Sequence, residues 1–302
     1  MKALSKTELR AARVERRPED HKGTFGHVLI VAGSAGMVGA AILSTRSALR
    51  SGAGLVTLAL PAGLQPEVAA QVPEALTLAL PEASGGCLRS EAVGRIGASM
   101  RERNYTVMAI GPGLSTNPET ARAVVHALGS LPLPAVVDAD ALNILAAQDR
   151  ADVDELLSKR VHPCVFTPHP GEMARCLRVS REEVLADRRG AVEKLAKEWN
   201  GIALLKGHRT LISDGRRTVA NFTGGPGLAI GGTGDVLTGL IAGLWAQLEA
   251  AGRGGRESAF LAAALGAHLH GLAGDLAEDE LTPWAMTPQD VIARLGRAFH
   301  RL

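Results

Sequence analysis

An α/β fold around a mostly parallel sheet is what this sequence predicts, and three observations predict it. Short apolar runs alternate with longer helical patterns along most of the 302 residues, which is the mark of βαβ units. The runs are apolar throughout rather than at every second position, as in strands covered on both faces. The chain also carries 35 glycines against 3% aromatic residues. Glycine weakens the interior of helices and strands, so this usage demands tight turns and close backbone approaches.

The strands fall in order at Val28–Ala32, Leu55–Leu60, Ala75–Leu80, Val107–Ile110, Ala135–Val137, Cys164–Thr167 and Ile202–Leu205. Helical patterns at Val38–Arg50, Ser90–Arg101, Pro118–Leu128, Ala141–Ala147 and Arg181–Trp199 lie between them. After Lys206, Thr210–Ser213 and Thr218–Ala220 flank Asp214-Gly215 and predict a hairpin at the sheet edge. A glycine-rich loop, Gly224 to Gly234, then leads into three helices. No repeat, low-complexity linker or charge block divides the chain. Residues 1–302 therefore read as one domain, with residues 1–25 as an N-terminal extension.

Composition narrows the function. At 46% hydrophobic and 21% charged residues the composition is ordinary for a soluble globular enzyme, and the apolar fraction rules out disorder. Lys and Arg number 33 against 31 acids, with the signs mixed, so nucleic acid is not the expected partner. Cys87, Cys164 and Cys176 are odd in number and far apart, which excludes a disulfide framework and fits a reducing cytoplasm. The charged N-terminus lacks the apolar core of a signal peptide. The uncharged stretch Gly23–Thr45 contains five glycines and is not a membrane span.

Six loops carry candidate chemistry. Gly33-Ser34-Ala35-Gly36-Met37-Val38-Gly39 joins a strand to a helix, with spacing that is neither the dinucleotide fingerprint nor a phosphate loop. It is either a tight turn or a ligand-approach loop. Gly111-Pro112-Gly113 follows a strand at its carboxyl end, where open α/β sheets bind ligands. Asp138-Ala139-Asp140-Ala141-Leu142-Asn143 clusters two carboxylates and an amide at another strand end. Asp140 is a ligand group or a plain helix cap, and Asp138 is costly to bury unless paired. Thr167-Pro168-His169-Pro170-Gly171-Glu172 is a rigid loop in which Pro170 suits a first helical turn. There Glu172 could orient a hydrated magnesium ion. Lys206-Gly207-His208-Arg209-Thr210 matches phosphate, or is a solvated hairpin start. The strongest loop is Gly231-Gly232-Thr233-Gly234-Asp235, followed by an apolar helix. Its backbone amides form an anion hole, and Asp235 beside them suits the proton acceptor of phosphoryl transfer to an alcohol. A simple helix cap would not require the four glycines 231, 232, 234 and 239. In the first turn Asp235 is expected to keep a low pKa and to be ionised at neutral pH.

Together, HKGTFGHVLIVAGS, GAA, RSGAGLV, AIGPGL, DADALN, TPHPGE, LLKGHRT and GGTGDVLTG, in this order across residues 21–243, resemble the nucleotide-dependent NAD(P)H-hydrate dehydratases of the ribokinase-like superfamily. The resemblance implies a three-layer α/β/α sandwich. It also implies an enzyme that repairs hydrated NADH or NADPH, using ADP or ATP with Mg2+, in which a phosphorylated ring hydroxyl is eliminated as phosphate. By motif match it implies that Ala40, Gly113, His169 and Asp235 contact the hydrate. Lys206, Gly207, His208, Arg209, Thr210 and Gly234 would contact the adenine nucleotide, with Asp235 as catalytic acid–base group and Gly231, Gly232, Thr233 and Gly234 as anion hole. Ser115, Gly225, Leu228 and Ile230 depart from residues frequent in the family. No N-terminal epimerase domain is expected, so a separate epimerase and a homo-oligomeric state complete the expectation. The alternatives are a small-alcohol kinase of the hydroxyethylthiazole kinase type and a non-catalytic nucleotide sensor.

Overall fold

The computed structural model describes residues 2–302. The chain runs α1 (Lys6–Ala11), β1 (His27–Val31), α2 (Val38–Arg50), β2 (Leu55–Pro61), α3 (Gln65–Gln71), β3 (Leu76–Leu80), β4 (Glu82–Ala83), β5 (Cys87–Leu88), α4 (Ala92–Met100), β6 (Val107–Ile110) and α5 (Pro118–Ser130). It continues through β7 (Ala135–Val137), α6 (Asp140–Ala147), α7 (Arg150–Ser158), β8 (Cys164–Phe166), α8 (Pro170–Leu177), α9 (Arg181–Ala186), α10 (Arg188–Glu198), β9 (Ile202–Leu205), β10 (Leu211–Ser213) and β11 (Thr218–Ala220). Three helices follow: α11 (Thr233–Ala250), α12 (Arg256–Ala285), which breaks its helical backbone at Thr282 before Pro283, and α13 (Pro288–Arg301).

Nine strands form one sheet in the order β11-β10-β9-β8-β7-β6-β1-β2-β3. All neighbours pair parallel except at β10, which runs antiparallel to both β9 and β11. Successive strand residues point to opposite faces, and both faces are covered. Val28 and Ile30 pack with α2, α11, α12 and α13. Leu29 and Val31 pack with residues of α4 to α10 on the other side. This is the three-layer arrangement, and it explains why the strand sequences lack a polar face.

The expected strands are present. The pattern Arg181–Trp199 is not one helix but two. The backbone leaves helical geometry at Asp187, and its carboxylate accepts from Gly190 N–H at 2.8 Å to start α10. Helices α1 and α3 have six and seven residues, too short for a helical period to stand out. All three cysteines are free and buried. Among the described residues no helix is long and apolar enough to cross a membrane.

Helix α11 crosses α2 so closely that Gly239 has no room for a side chain. A Cβ there would lie 2.0 Å from Ser44 O, a backbone atom of α2. Gly239 is thus a packing glycine, and this close crossing rather than the loop before α11 accounts for a glycine at that position. Gly239→Ala is expected to cost at least the ~1–3 kcal/mol of a typical overpacked core. An unchanged melting temperature would show that the two helices can separate freely.

Candidate active site

The strand order reverses between β1 and β6, where the chain turns one way to β2 and the other way to β7. Ligands of open α/β sheets bind at the carboxyl ends around such a point. The loops after these two strands are tied together there. Gly33 N–H donates to Pro112 O at 2.9 Å, and the Ser34 hydroxyl donates to Gly113 O at 2.8 Å. Ala40 sits in the first turn of α2 rather than in the loop. A Cβ on Gly113 would lie 2.9 Å from the Ala40 methyl. Two residues implied by the resemblance, 73 positions apart in the sequence, therefore share one floor.

The next strand end holds a buried charge. Asp138 is fully buried. Its Oδ1 accepts from the Thr167 hydroxyl at 2.7 Å and from Lys206 Nζ at 2.9 Å, and its Oδ2 accepts from the Thr238 hydroxyl at 2.7 Å. The pairing that burial of Asp138 demands is thereby met. Burial alone would lower the Lys206 pKa, but Asp138 and Glu172 offset it and hold the ammonium above its ordinary value. Ala139, between the two aspartates, has φ 49°, a strained conformation for a residue with a side chain. It turns Asp138 inward while Asp140 begins α6. Asp140 is not the N-cap considered above: it is the first helical residue, and its Oδ2 accepts from Ser115 N–H at 2.8 Å.

His169 caps α8. Its Nδ1 accepts from Gly171 and Glu172 N–H, and Glu172 Oε2 accepts from His169 N–H at 2.8 Å. Burial keeps the imidazole pKa below its usual value, so the neutral ring carries its proton on Nε2. That atom lies 3.4 Å from Glu172 Oε1. Glu172 is itself buried and reaches to 3.7 Å from Lys206 Nζ. The TPHPGE and KGHRT segments thus meet through one ammonium.

Helix α11 begins at Thr233 behind Gly232, whose φ of 96° is left-handed. The Thr233 hydroxyl ties the turn to Leu228 O and Ile230 O. The first-turn amides, at Thr233, Gly234 and Asp235, have no partner within the helix. A Cβ on Gly231 would meet open space, and one on Gly234 would lie 3.3 Å from Lys206 Nζ. Gly234, at the start of α11, therefore faces the same ammonium. Asp235 corrects the expectation of a low pKa. Burial, then the charge of Asp138, pushes its carboxyl up to about 7, while Lys206 works in the other direction. Helix-start stabilisation of the charge is only about 0.3–1 kcal/mol, so burial wins.

Sequence reasoning missed several contributors. Asp275 accepts from Gly224 N–H and Glu278 from Gly227 N–H at 2.9 Å, so α12 clasps the glycine-rich loop. A Cβ on Gly225 would lie 2.4 Å from Glu278 Oε2 and would press on the carboxylate that clasps the loop. Thr238 lies three residues after Asp235, a separation that puts both on one helix face. His270 on α12 is buried with an unpartnered Nε2. Among the described residues no three His, Cys, Asp or Glu side chains gather as a metal cage.

The family model described as NAD(P)H-hydrate dehydratase matches residues 28–297. A bifunctional NAD(P)H-hydrate repair enzyme of Moorella thermoacetica is 45% identical over 279 residues, 92% of this chain and 50% of that protein. The chain thus spans about half the length of the bifunctional relatives it matches. An ADP-dependent (S)-NAD(P)H-hydrate dehydratase of Neisseria meningitidis serogroup B is 35% identical over 270 residues, covering 87% of this chain and 81% of that protein. The crystal structure of an ADP/ATP-dependent NAD(P)H-hydrate dehydratase from Bacillus subtilis, co-crystallised with ATP and Mg2+, superposes with a TM-score of 0.82. It is 30% identical and covers 99% of this chain and 98% of that one.

Proposed function

Because the chain belongs to the NAD(P)H-hydrate dehydratase family, we propose that it dehydrates hydrated NADH and NADPH at the expense of ADP, yielding AMP and phosphate. The observation that carries this reading is the placement of the Asp235 carboxyl at the start of α11, within the field of the Lys206–Asp138 pair. In this reading the hydrate lies over Ala40, Gly113 and His169, with its ring hydroxyl toward Asp235. The nucleotide lies along Lys206–Thr210 and Gly234.

Each residue then has a task. Asp235, with a pKa near 7, accepts the hydroxyl proton as phosphoryl transfer begins, and a base poised near the working pH does this best. The amides of Gly231–Gly234 and the Lys206 ammonium take the charge of the transferring group. The ring carbon–oxygen bond of the phosphate ester then breaks, phosphate leaves with the electron pair, a proton departs from the adjacent ring carbon, and the ring double bond returns. Asp138 does not meet substrate. It holds Lys206 in place.

The donor set fits a magnesium ion carried by nucleotide phosphates rather than one caged by protein. Glu172, 3.7 Å from Lys206 Nζ, is a carboxylate that could orient its waters, and Asp138 is committed to Lys206. Bound there, the ion would shield phosphate charge. The relative named for the S hydrate leads us to propose that the R form reaches this site only after a separate epimerisation.

The test is direct. NADH hydrate with ADP and Mg2+ should regain dihydronicotinamide absorbance while phosphate is released stoichiometrically. Accumulation of a stable phosphorylated alcohol, or transfer to a thiazole alcohol instead, would establish the kinase alternative.

A further inference from the structure

Arg188 is the first residue of α10, directly after the helix break at Asp187, and its side chain reaches the segment after β9. Its guanidinium donates from Nη1 to His208 O at 2.5 Å and from Nη2 to Arg209 O at 3.4 Å. Among the described residues no carboxylate pairs with it. The group is partly withdrawn from water, enough to lower its pKa. A guanidinium with no counter-ion that spends its donors on two carbonyls of one loop is poorly explained by stability.

The loop shows what those bonds select. Gly207 has φ 137° and a Cβ there would lie 3.3 Å from Arg188 Nη2, so glycine lets the guanidinium approach. Two residues on, Arg209 has φ 54°. A positive φ at the third position of a four-residue turn is the type II geometry, which favours Gly or Asn, and Arg is costly there. Type I and type II turns differ by a flip of the central peptide. In the flipped form His208 O points at Arg188. Because C=O and N–H of a trans peptide point in opposite directions, the Arg209 N–H faces away from Arg188.

We infer that Arg188 is a positioning residue that locks the His208–Arg209 peptide in its flipped orientation, so that the Arg209 amide faces the phosphate or ribose of the bound nucleotide. The inference rests on the proposed nucleotide site at Lys206–Thr210. In this arrangement Arg188 touches no ligand. It converts a loop that would favour a type I turn into one with a preset donor, which lowers the ordering cost of binding.

Calorimetric titration of the full chain with ADP and Mg2+ tests this. If the parent protein does not bind ADP, the nucleotide site itself is wrong. If it does, Arg188→Ala should weaken ADP binding about tenfold, as loss of a charged hydrogen bond predicts. The KM for ADP should rise with it, and kcat and the KM for hydrate should change little. Millimolar guanidinium ion should restore ADP affinity by refilling the vacated position, whereas Arg188→Lys, with a single-point charge, should not recover the parent value. Equal ADP affinity in Arg188→Ala overturns the inference. So does weakened binding that guanidinium fails to restore in a variant with a lowered melting temperature, which would mark Arg188 as merely structural.

Discussion

Asp235→Asn is expected to lower turnover by about 10²–10⁴, the usual contribution of a general base, while making the unliganded protein more stable at alkaline pH. Both effects come from one property. The carboxyl is largely withdrawn from water and feels the charge of Asp138, and its pKa stands at about 7 against an ordinary 3.8. The folded protein therefore binds a proton more tightly there than the unfolded chain does. The stability that this provides is complete below the unfolded value and is lost as pH rises toward 7. Above that, a charge sits in a site that disfavours it, at a cost on the order of 4 kcal/mol. Asn has the same shape and no charge to bury. The variant should melt several degrees above the parent at about pH 8 and close to it at about pH 4, given the usual conversion of free energy into melting temperature. Its kcat/KM should also lose the rise through pH 7 that a titrating base imposes on the parent. Turnover within a few-fold of the parent would remove Asp235 from proton transfer. The other carboxylates nearby are poor substitutes, since Asp138 is saturated by three donors and Glu172 is engaged by His169 and Lys206.

The layer architecture was legible because burial on both faces writes itself into the strands: Val28 to Val31 have no polar member, and the structure covers both sides. The glycine-rich turn before α11 was legible for a similar local reason, that a left-handed glycine and an apolar helix directly after it leave their pattern within a few positions. The wiring of the site was not. Asp138 could be seen to need a partner, but Lys206 and Thr238 lie 68 and 100 residues away, and no spacing rule reaches that far. The pKa of Asp235 was misjudged because the helix start is local and visible, whereas its burial and the Asp138 charge come from the tertiary fold. Asp187 was a missed signal of another kind. An Asp three residues before Gly190, inside a helical pattern, is an ordinary capping arrangement, and the charged helical periodicity around it hid the break. Gly239 had been counted with the loop glycines as evidence against a simple helix cap, since a glycine beside a loop and a glycine under a crossing helix look alike in one dimension.

Lys206→Met is expected to show how much of this wiring is stability and how much is binding. Methionine fills the space of the lysine stem but leaves Asp138 buried with two hydroxyl donors and no cation. Breaking a buried pair from one side costs about 3–5 kcal/mol, a large part of the ~5–15 kcal/mol that holds a typical protein together. Melting should fall by roughly 10 °C on the usual scaling. ADP binding should fall as well, because the ammonium that faces Gly234 is gone. Loss of binding could then be blamed on damage to the fold. Asp138→Asn added to Lys206→Met separates the two. The amide can accept from Thr167 or Thr238 without a charge to neutralise, so most of the lost stability should return. ADP affinity should not return, since no cation has been restored. Recovery of both in the double variant would mean that Lys206 serves only to neutralise Asp138, and that the phosphates are held by the amides of α11 without it. Recovery of stability alone assigns the lysine two tasks that the sequence shows as one residue at a strand end: a counter-charge facing inward to Asp138, and a phosphate ligand facing outward to Gly234.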